Sequence, residues 1–287
     1  MSAPGRPMAG GRVFAGLLLA PVGVLYLAFL IAPIGYFLGV SLLTYSAEQM
    51  YLAEPTLANY GRLVSDGYYR QIIYDTLRIA AIVTALSLLG GYVLAYFLAR
   101  LKNRWRAVLM FLVIAPLMTG VIVRTYGWIV LLGNDGLVNQ ALQWLGVAAG
   151  SVQLLDTEGA VIVALTHIML PYMVFPIFSS LVSQDPHLVP AAGTLGAGPV
   201  RAFLEVTLPL SRSGVVMGSA LVFTLTSGSI VTPELLGGRD VTMMGQLIYQ
   251  LVLSTFNWPL GAAVAAILVL CQFSVITLYF RKMRRGY

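Results

Sequence analysis

The sequence predicts an all-α polytopic membrane protein, and three observations lead to this class. Of its 287 residues, 59% are hydrophobic and only 10% are charged, whereas soluble domains carry about 25% charged residues. Charge-free runs recur, each near the roughly 20 residues that a helix needs to cross a bilayer. Basic and acidic residues alternate between the segments that join these runs. This composition excludes a soluble enzyme, a disordered chain and a disulfide-rich secreted module.

Six transmembrane helices are predicted from these runs, at residues 13–43, 79–99, 107–123, 159–182, 213–231 and 259–280. The first run exceeds the roughly 7–15 apolar residues of a signal-peptide core, so we expect it to be retained as a helix. The apolar character of the third run continues past Arg124 to Leu132. Residues 1–12 are expected to form a tail and residues 13–287 a single membrane domain.

The distribution of charge between the runs predicts the orientation of the chain. Twelve of the 17 basic residues fall on one side of the predicted membrane: Arg6, Arg12, Arg100, Lys102, Arg104, Arg106, Arg201, Arg212, Arg281, Lys282, Arg284 and Arg285. Nine of the 11 acidic residues fall on the other side: Glu48, Glu54, Asp66, Asp75, Asp135, Asp156, Glu158, Glu234 and Asp240. Basic loops remain in the cytoplasm, so both termini are expected inside. The net charge of +6 is then a topology signal, and no nucleic-acid partner is expected.

Small residues at a spacing of four allow two helices to approach closely in lipid. Three such spacings occur in the predicted helices: Gly35/Gly39, Gly91/Ala95/Ala99 and Gly214/Gly218. We interpret them as packing positions within this chain, and dimerisation through them is the alternative.

The connection between the fourth and fifth runs, residues 183–212, is the longest on the basic side. Apolar and small residues recur in it at helical spacing: Leu188, Ala191, Ala192 and Leu195. Gly196, Gly198 and Pro199 are expected to break this helix. Residues 200–208 are expected to form a second short helix that ends at Pro209. An exposed apolar helix of this kind favours docking into a groove of another protein.

This connection also carries a specific pattern of residues: Pro190-Ala191-Ala192, Gly196-Ala197, Phe203, Val206, Leu208 and Pro209. The pattern resembles the EAA loop of inner-membrane permease subunits of ATP-binding-cassette importers. In that family the order is Glu-Ala-Ala, three residues, Gly, and later Phe-x-x-Val-x-Leu-Pro. Two further segments, residues 124–133 and 232–238, are similar to the branch that serves spermidine and putrescine. We call residues 183–212 the EAA-type loop.

The resemblance implies a type I importer permease architecture of the MetI-like kind in a bacterial inner membrane. It implies a second related permease, an extracytoplasmic solute-binding protein and two cytoplasmic ATPase subunits that hold ATP and Mg²⁺. The ATPases would contact the EAA-type loop at Pro190, Ala191, Ala192, Gly193, Gly196, Ala197, Arg201, Phe203 and Glu205. The sequence lacks a Gly-x-x-x-x-Gly-Lys-Ser/Thr phosphate loop. We therefore expect no catalytic residue, metal or cofactor on this chain.

Two departures from the family pattern bear on coupling and on the solute. Pro190 stands where the family has Glu. A proline is tolerated at the first position of a helix, so the helix is still expected to start here. Any salt bridge that the Glu makes to the ATPase is expected to be missing. Ser229 and Ile230 stand where related sequences often place an acid and an aromatic residue, which argues against a cation site. A polyamine is the leading solute, and an aminophosphonate, an opine-like amino acid derivative or an organic acid stays open. A proton-coupled secondary transporter that uses His167 is the alternative outside this class.

Polar residues within the runs are candidates for the solute pathway. Arg124 lies 18 residues beyond Arg106, about 27 Å along a continuous helix. It either faces the pathway or extends to the outer headgroups beside Tyr126. Further pathway candidates are Tyr126, Ser227, Ser229, Thr232 and Glu234, with Gly228 and Pro233 expected to interrupt the fifth helix. The alternatives are hydroxyls bonded back to their own helix and an outer-loop position for Glu234.

Overall fold

The computed structural model describes residues 20–102, 104–148, 150–238 and 241–284, and these ranges are mostly helical. The predicted tail at residues 1–12, the start of the first run and Asp240 lie outside the described residues. The helices are α1 (Ala20–Val40), α2 (Ala58–Ser65), α3 (Gly67–Arg100), α4 (Arg104–Ile114), α5 (Val121–Leu132), α6 (Leu137–Trp144), α7 (Glu158–Val182), α8 (Leu188–Thr194), α9 (Pro199–Leu210), α10 (Arg212–Ser227), α11 (Val231–Leu236), α12 (Met244–Tyr249) and α13 (Trp258–Arg284). An antiparallel hairpin, β1 (Leu43–Ser46) and β2 (Met50–Pro55), follows α1.

Five helical segments of the described chain are long and apolar enough to cross a membrane. They are Ala20–Val40, Gly67–Arg100, Val121–Trp144, Glu158–Val182 and Trp258–Arg281. A sixth crossing results when α9 and α10, which meet at an angle of 62°, are counted as one bent span. The predicted six-helix architecture agrees with this arrangement.

The third predicted crossing is wrong in its position. The apolar run at residues 107–132 forms two helices, α4 and α5, and the candidate span begins only at Val121. A 3₁₀ turn at Ala115–Met118 contains Pro116, which has no N–H to continue α4, and Thr119 then adopts an extended backbone. The 27 Å expected between Arg106 and Arg124 assumed one continuous helix and therefore does not apply.

Three further differences lie between α1 and the start of α3. α3 begins at Gly67, where the Asp66 carboxylate accepts a hydrogen bond of 2.9 Å from the backbone N–H of Tyr68 and caps the helix. It therefore extends 12 residues before the predicted start at residue 79. In α1 a π turn at Leu27–Ile31 precedes Pro33. The hairpin was not predicted, because β1 and β2 are short and border an apolar run.

Helices α3, α7 and α10 pack around small residues, as predicted. A side chain at Gly91 in α3 would lie 2.9 Å from Met173 in α7. A side chain at Gly214 in α10 would lie 2.5 Å from the carbonyl oxygen of Pro176. By contrast, a side chain added at Gly35 or Gly39 of α1 would meet no other part of the described chain within 4 Å. The spacings in α3 and α10 therefore serve contacts within the chain.

Candidate functional site

The EAA-type loop contains two short helices joined at a glycine. α8 begins at Leu188, so Pro190 is its third residue. The expectation that Pro190 occupies the first helical position is wrong. The missing N–H of Pro190 is harmless at the third position, because the N–H groups of a first helical turn have no helical partner. Gly196 follows α8 with φ of +86°, a conformation that side chains disfavour. The predicted break at Gly196 is confirmed.

The second helix of the loop does not end at Pro209, and this expectation is wrong. α9 continues to Leu210 through a π turn at Phe203–Thr207, in which the N–H of Leu208 bonds the carbonyl of Phe203. Pro209 needs no N–H partner at the start of the turn that follows. The chain bends at Ser211, whose hydroxyl donates to the Leu208 carbonyl at 3.0 Å.

Aromatic contacts fix the loop on the end of α3. The ring of Phe203 packs edge-on against Tyr92 and Tyr96, with 5.8 and 5.3 Å between centroids. The hydroxyl of Tyr92 also lies 2.8 Å from the hydroxyl of Ser211 at the bend. α9 is therefore in direct contact with α3, and α3 is hydrogen-bonded to the bend before α10. Phe203 was predicted as a contact residue, but neither tyrosine was. The signal that could have indicated the tyrosines is a pair of aromatic residues four positions apart near a helix end.

The outer surface of the loop exposes apolar side chains. Leu195 is 89% exposed, Val200 71% and Leu204 53%. Of the predicted contact residues, these are exposed: Pro190, Ala191, Gly193, Gly196, Arg201 and Glu205. Ala192, Ala197 and Phe203 are half-buried. An Arg201–Glu205 ion pair of 3.0 Å lies on the same short helix. The loop therefore presents exposed apolar side chains, and Phe203 attaches it to α3.

Arg124 is half-buried on α5, a helix that contacts α7. Its Nε and Nη1 atoms are buried and have no hydrogen-bond partner among the described residues. In the next turn of α5, Trp128 donates a long hydrogen bond of 3.4 Å from Nε1 to Nδ1 of His167. Covering guanidinium N–H groups without a partner is unfavourable. The site therefore favours a group that accepts hydrogen bonds from Arg124.

The other pathway candidates fall into three environments. Thr232 is buried on α11, and its hydroxyl lies 3.2 Å from that of Thr125 next to Arg124. Ser227, at the end of α10, is fully buried, donates to the Thr224 carbonyl at 3.1 Å and accepts from Gln272 at 2.9 Å. Its hydroxyl thus adopts the alternative arrangement, bonded back to its own helix. Ser229 is half-buried, while Tyr126 and Glu234 are exposed.

The candidate pathway residues lie near the end of α10 and the contact between α5 and α11. The predicted interruption at Gly228 is confirmed, because α10 ends at Ser227 and Gly228 follows it as the C-cap. The predicted interruption at Pro233 is wrong, because Pro233 lies inside α11. Contact between α5 and α11 brings Arg124 and Thr232 into one neighbourhood, whereas Ser227 contacts α13 instead. A pathway role for these residues stays a prediction. In the described ranges no group of three or more His, Cys, Asp or Glu side chains could hold a metal ion.

Comparison with known proteins places these features in one family. Residues 87–284 match the family described as "Binding-protein-dependent transport system inner membrane component". The chain belongs to this family. It is the permease subunit of an ATP-binding-cassette importer, and the matched region includes the whole EAA-type loop.

A relative and two solved structures are similar over most of the chain. The spermidine/putrescine transport system permease protein PotB of Haemophilus influenzae is 34% identical over 253 residues, or 88% of each chain. A bacterial ABC transporter involved in the import of the acidic polysaccharide alginate matches with a TM-score of 0.71 at 17% identity, over 96% of both chains. The MetNI methionine ABC transporter matches with a TM-score of 0.60 at 18% identity, over 81% of this chain and 99% of that one. The structural matches establish the MetI-like fold.

Proposed function

We propose that this permease moves a polyamine such as spermidine or putrescine inward by alternating access. The observation that carries the proposal is the 34% identity to the spermidine/putrescine permease over 88% of both chains. The similarity to this relative therefore extends over the membrane helices as well as the EAA-type loop. The solute class therefore follows the relative that is similar over the full pathway.

The partners in this proposal are a second related permease, two cytoplasmic ATPase subunits and an extracytoplasmic solute-binding protein. The ATPases hold ATP and Mg²⁺ and dock on the exposed row of Leu195, Val200 and Leu204. Phe203 transmits their motion to α3 through its two tyrosine contacts. Residues 13–287 act as one membrane domain. This chain supplies no catalytic group for ATP hydrolysis.

The orientation in this proposal places both termini and the EAA-type loop in the cytoplasm. Supporting it, Arg100, Lys102 and Arg106 line one cavity together with Asp185 and Pro190 of the loop. The basic loop between α3 and α4 and the EAA-type loop thus lie at the same end of the bundle. Basic residues concentrate on the cytoplasmic side of membrane proteins.

A second candidate, an anionic or zwitterionic solute, is favoured by Arg124. A guanidinium with two buried nitrogens that have no hydrogen-bond partner among the described residues attracts a carboxylate or phosphonate and repels a polyamine. An aminophosphonate, an opine-like amino acid derivative and an organic acid share such a group. Ser229, which stands where related sequences often place an acid, favours the same candidate.

Uptake into proteoliposomes decides between the two candidates. The permease is reconstituted with its partner permease, ATPase and binding protein, and radiolabelled spermidine, putrescine, an aminophosphonate and an organic acid are supplied separately. ATP-dependent uptake of spermidine or putrescine supports the polyamine proposal. Uptake of an acidic solute alone overturns it in favour of the second candidate. Uptake driven by a proton gradient without ATP overturns the importer mechanism itself.

A further inference from the structure

A basic cavity lies behind the EAA-type loop, at the ends of α3 and α7 and the start of α4. Its volume is about 470 Å³. Three basic side chains line it, Arg100, Lys102 and Arg106, against a single acidic one, Asp185. None of the three forms an ion pair within the part of the chain that the structure describes. Among the described residues, the lining of the cavity therefore has more positive than negative charges, three basic side chains against one acidic one.

Aromatic rings hold two of these cations in place. The guanidinium of Arg100 lies 4.3 Å from the ring centroid of Tyr96, and that of Arg106 lies 4.8 Å from the centroid of Phe178. Such contacts orient a guanidinium while they leave its N–H edge free to bind an anion. A site with oriented arginines differs from mobile basic residues that only follow the charge bias of cytoplasmic loops.

Pro190 adds no negative charge to this cavity, because it has no carboxylate. It lines the cavity at the start of α8, and in the family pattern this position is a Glu. A Glu there would add a second carboxylate beside Arg100, Lys102 and Arg106. With Pro190 the cavity has three basic residues and one acid, and an external anion is needed to balance them.

The surroundings of the cavity match a membrane interface. Leu181 and Val182 at the end of α7 form part of its wall. Trp105, at the start of α4, is 57% exposed, and Phe111 and Leu112 further along the helix are 66% and 57% exposed. Tryptophan at a helix end followed by exposed apolar residues is typical of a surface that meets headgroups and then acyl chains. An anion with an attached apolar chain fits both parts.

We propose that this cavity binds the phosphate of an anionic phospholipid, with the headgroup between Arg100, Lys102 and Arg106 and the acyl chains along α4. Basic pockets between membrane helices on the cytoplasmic side are suited to such headgroups. The bound lipid would lie beside Pro190 and so would support the helix that docks the ATPase. The inference does not depend on which solute is transported.

Native mass spectrometry of the full chain in detergent tests the proposal, with phosphatidylglycerol as the anionic probe and phosphatidylcholine as the neutral one. We expect the wild-type chain to retain phosphatidylglycerol preferentially. Arg106→Gln and Arg100→Gln should each lower its retention about fivefold, the effect of one basic residue near an anionic headgroup. Pro190→Glu should lower it similarly, because it supplies an internal carboxylate at a position where Glu suits a helix start. Binding of these probes requires neither ATPase nor solute, so its failure is distinct from failure of the proposed function.

The matched control is Arg70→Gln, which removes one exposed basic residue outside the cavity and should leave lipid retention unchanged. Equal retention of the two lipids overturns the proposal. So does unchanged retention in Arg106→Gln and Pro190→Glu, or an equal loss in Arg70→Gln, which would indicate general charge attraction. A chase with millimolar inorganic phosphate separates the sources of the phosphate. Displacement of the lipid by phosphate would overturn the lipid assignment and identify a soluble anion as the occupant.

Discussion

The ring of Phe203 in the EAA-type loop packs edge-on against the ring of Tyr96 on α3, with 5.3 Å between the centroids. Tyr92, one helical turn earlier, makes a second such contact with Phe203 at 5.8 Å. Edge-on aromatic pairs contribute about 0.5–1.5 kcal/mol each beyond the area they bury. Phe203 therefore connects the exposed surface of the EAA-type loop, where we propose that the ATPase docks, to a helix of the membrane bundle.

Phe203→Ala should weaken this link without unfolding the bundle. Loss of both aromatic contacts removes about 1–3 kcal/mol of attachment. We expect ATP-dependent uptake to fall about fivefold or more while basal ATP hydrolysis persists. Uptake and hydrolysis are measured in the same proteoliposomes. Phe203→Tyr is the conservative control, because it retains the ring and should restore coupling. Wild-type uptake by the Ala variant would exclude this route of coupling.

The membrane class and most helices could be predicted because hydrophobic length is a local property of the chain. The fourth run was predicted at residues 159–182, and α7 occupies Glu158–Val182. The third run was misplaced because an apolar stretch does not reveal where Pro116 and Gly120 divide it. Composition is the same on both sides of that division, so only the backbone geometry separates α4 from α5.

The details of the candidate site depend on contacts between distant residues, which no local pattern contains. The hydrogen bond between Tyr92 and Ser211 joins positions 119 residues apart. Ser227 and Arg124 both appeared as polar residues in apolar runs. In the structure the hydroxyl of Ser227 both donates and accepts a hydrogen bond, whereas two nitrogens of Arg124 have no hydrogen-bond partner among the described residues. The difference depends on the direction in which each side chain points. That direction is set by the packing of the helices, which the sequence pattern does not contain.

Arg124→Ala should cut transport and leave assembly near normal. A hydrogen bond to a charged group contributes about 1.5–3 kcal/mol, so uptake should fall about tenfold or more if Arg124 holds the solute. Arg124→Lys should also fail, because a lysine ammonium does not reproduce the planar donor pattern of arginine. Co-purification of the partner subunits checks assembly. Arg62→Ala, at an exposed position on α2, is the control. Full uptake by Arg124→Ala would remove Arg124 from the pathway.

Cysteine labelling tests the proposed orientation. The only cysteine, Cys271, is first changed to Ser, and single cysteines are then introduced as Asp135→Cys and Thr194→Cys. Both positions are exposed, and exposed substitutions usually change stability by less than about 0.5 kcal/mol. A membrane-impermeant maleimide should label position 135 in intact cells and position 194 only after permeabilisation. The reverse pattern would invert the topology.

Gly196→Val should uncouple transport from ATP hydrolysis while the chain still inserts and folds. Gly196 has φ of +86°, so a β-branched residue there strains the backbone by about 1 kcal/mol or more. A side chain at Gly196 would meet no atom of the described chain within 4 Å. Any steric effect beyond the backbone strain must therefore come from a docked partner. We expect reduced uptake, reduced solute-stimulated ATPase activity and weaker co-purification of the ATPase.

Gly146→Val separates backbone strain from contact with the ATPase. Gly146 has φ of +71° and also has no neighbour within 4 Å of a would-be side chain among the described residues. It follows α6 in the segment before α7, far along the chain from the EAA-type loop. Its substitution should cost similar stability but leave the ratio of uptake to hydrolysis unchanged. If both valine variants lower that ratio equally, strain alone explains the defect. If Gly196→Val leaves the ratio unchanged, the loop around Gly196 does not contact the ATPase, because a bulky side chain in a docked surface would hold the subunits apart.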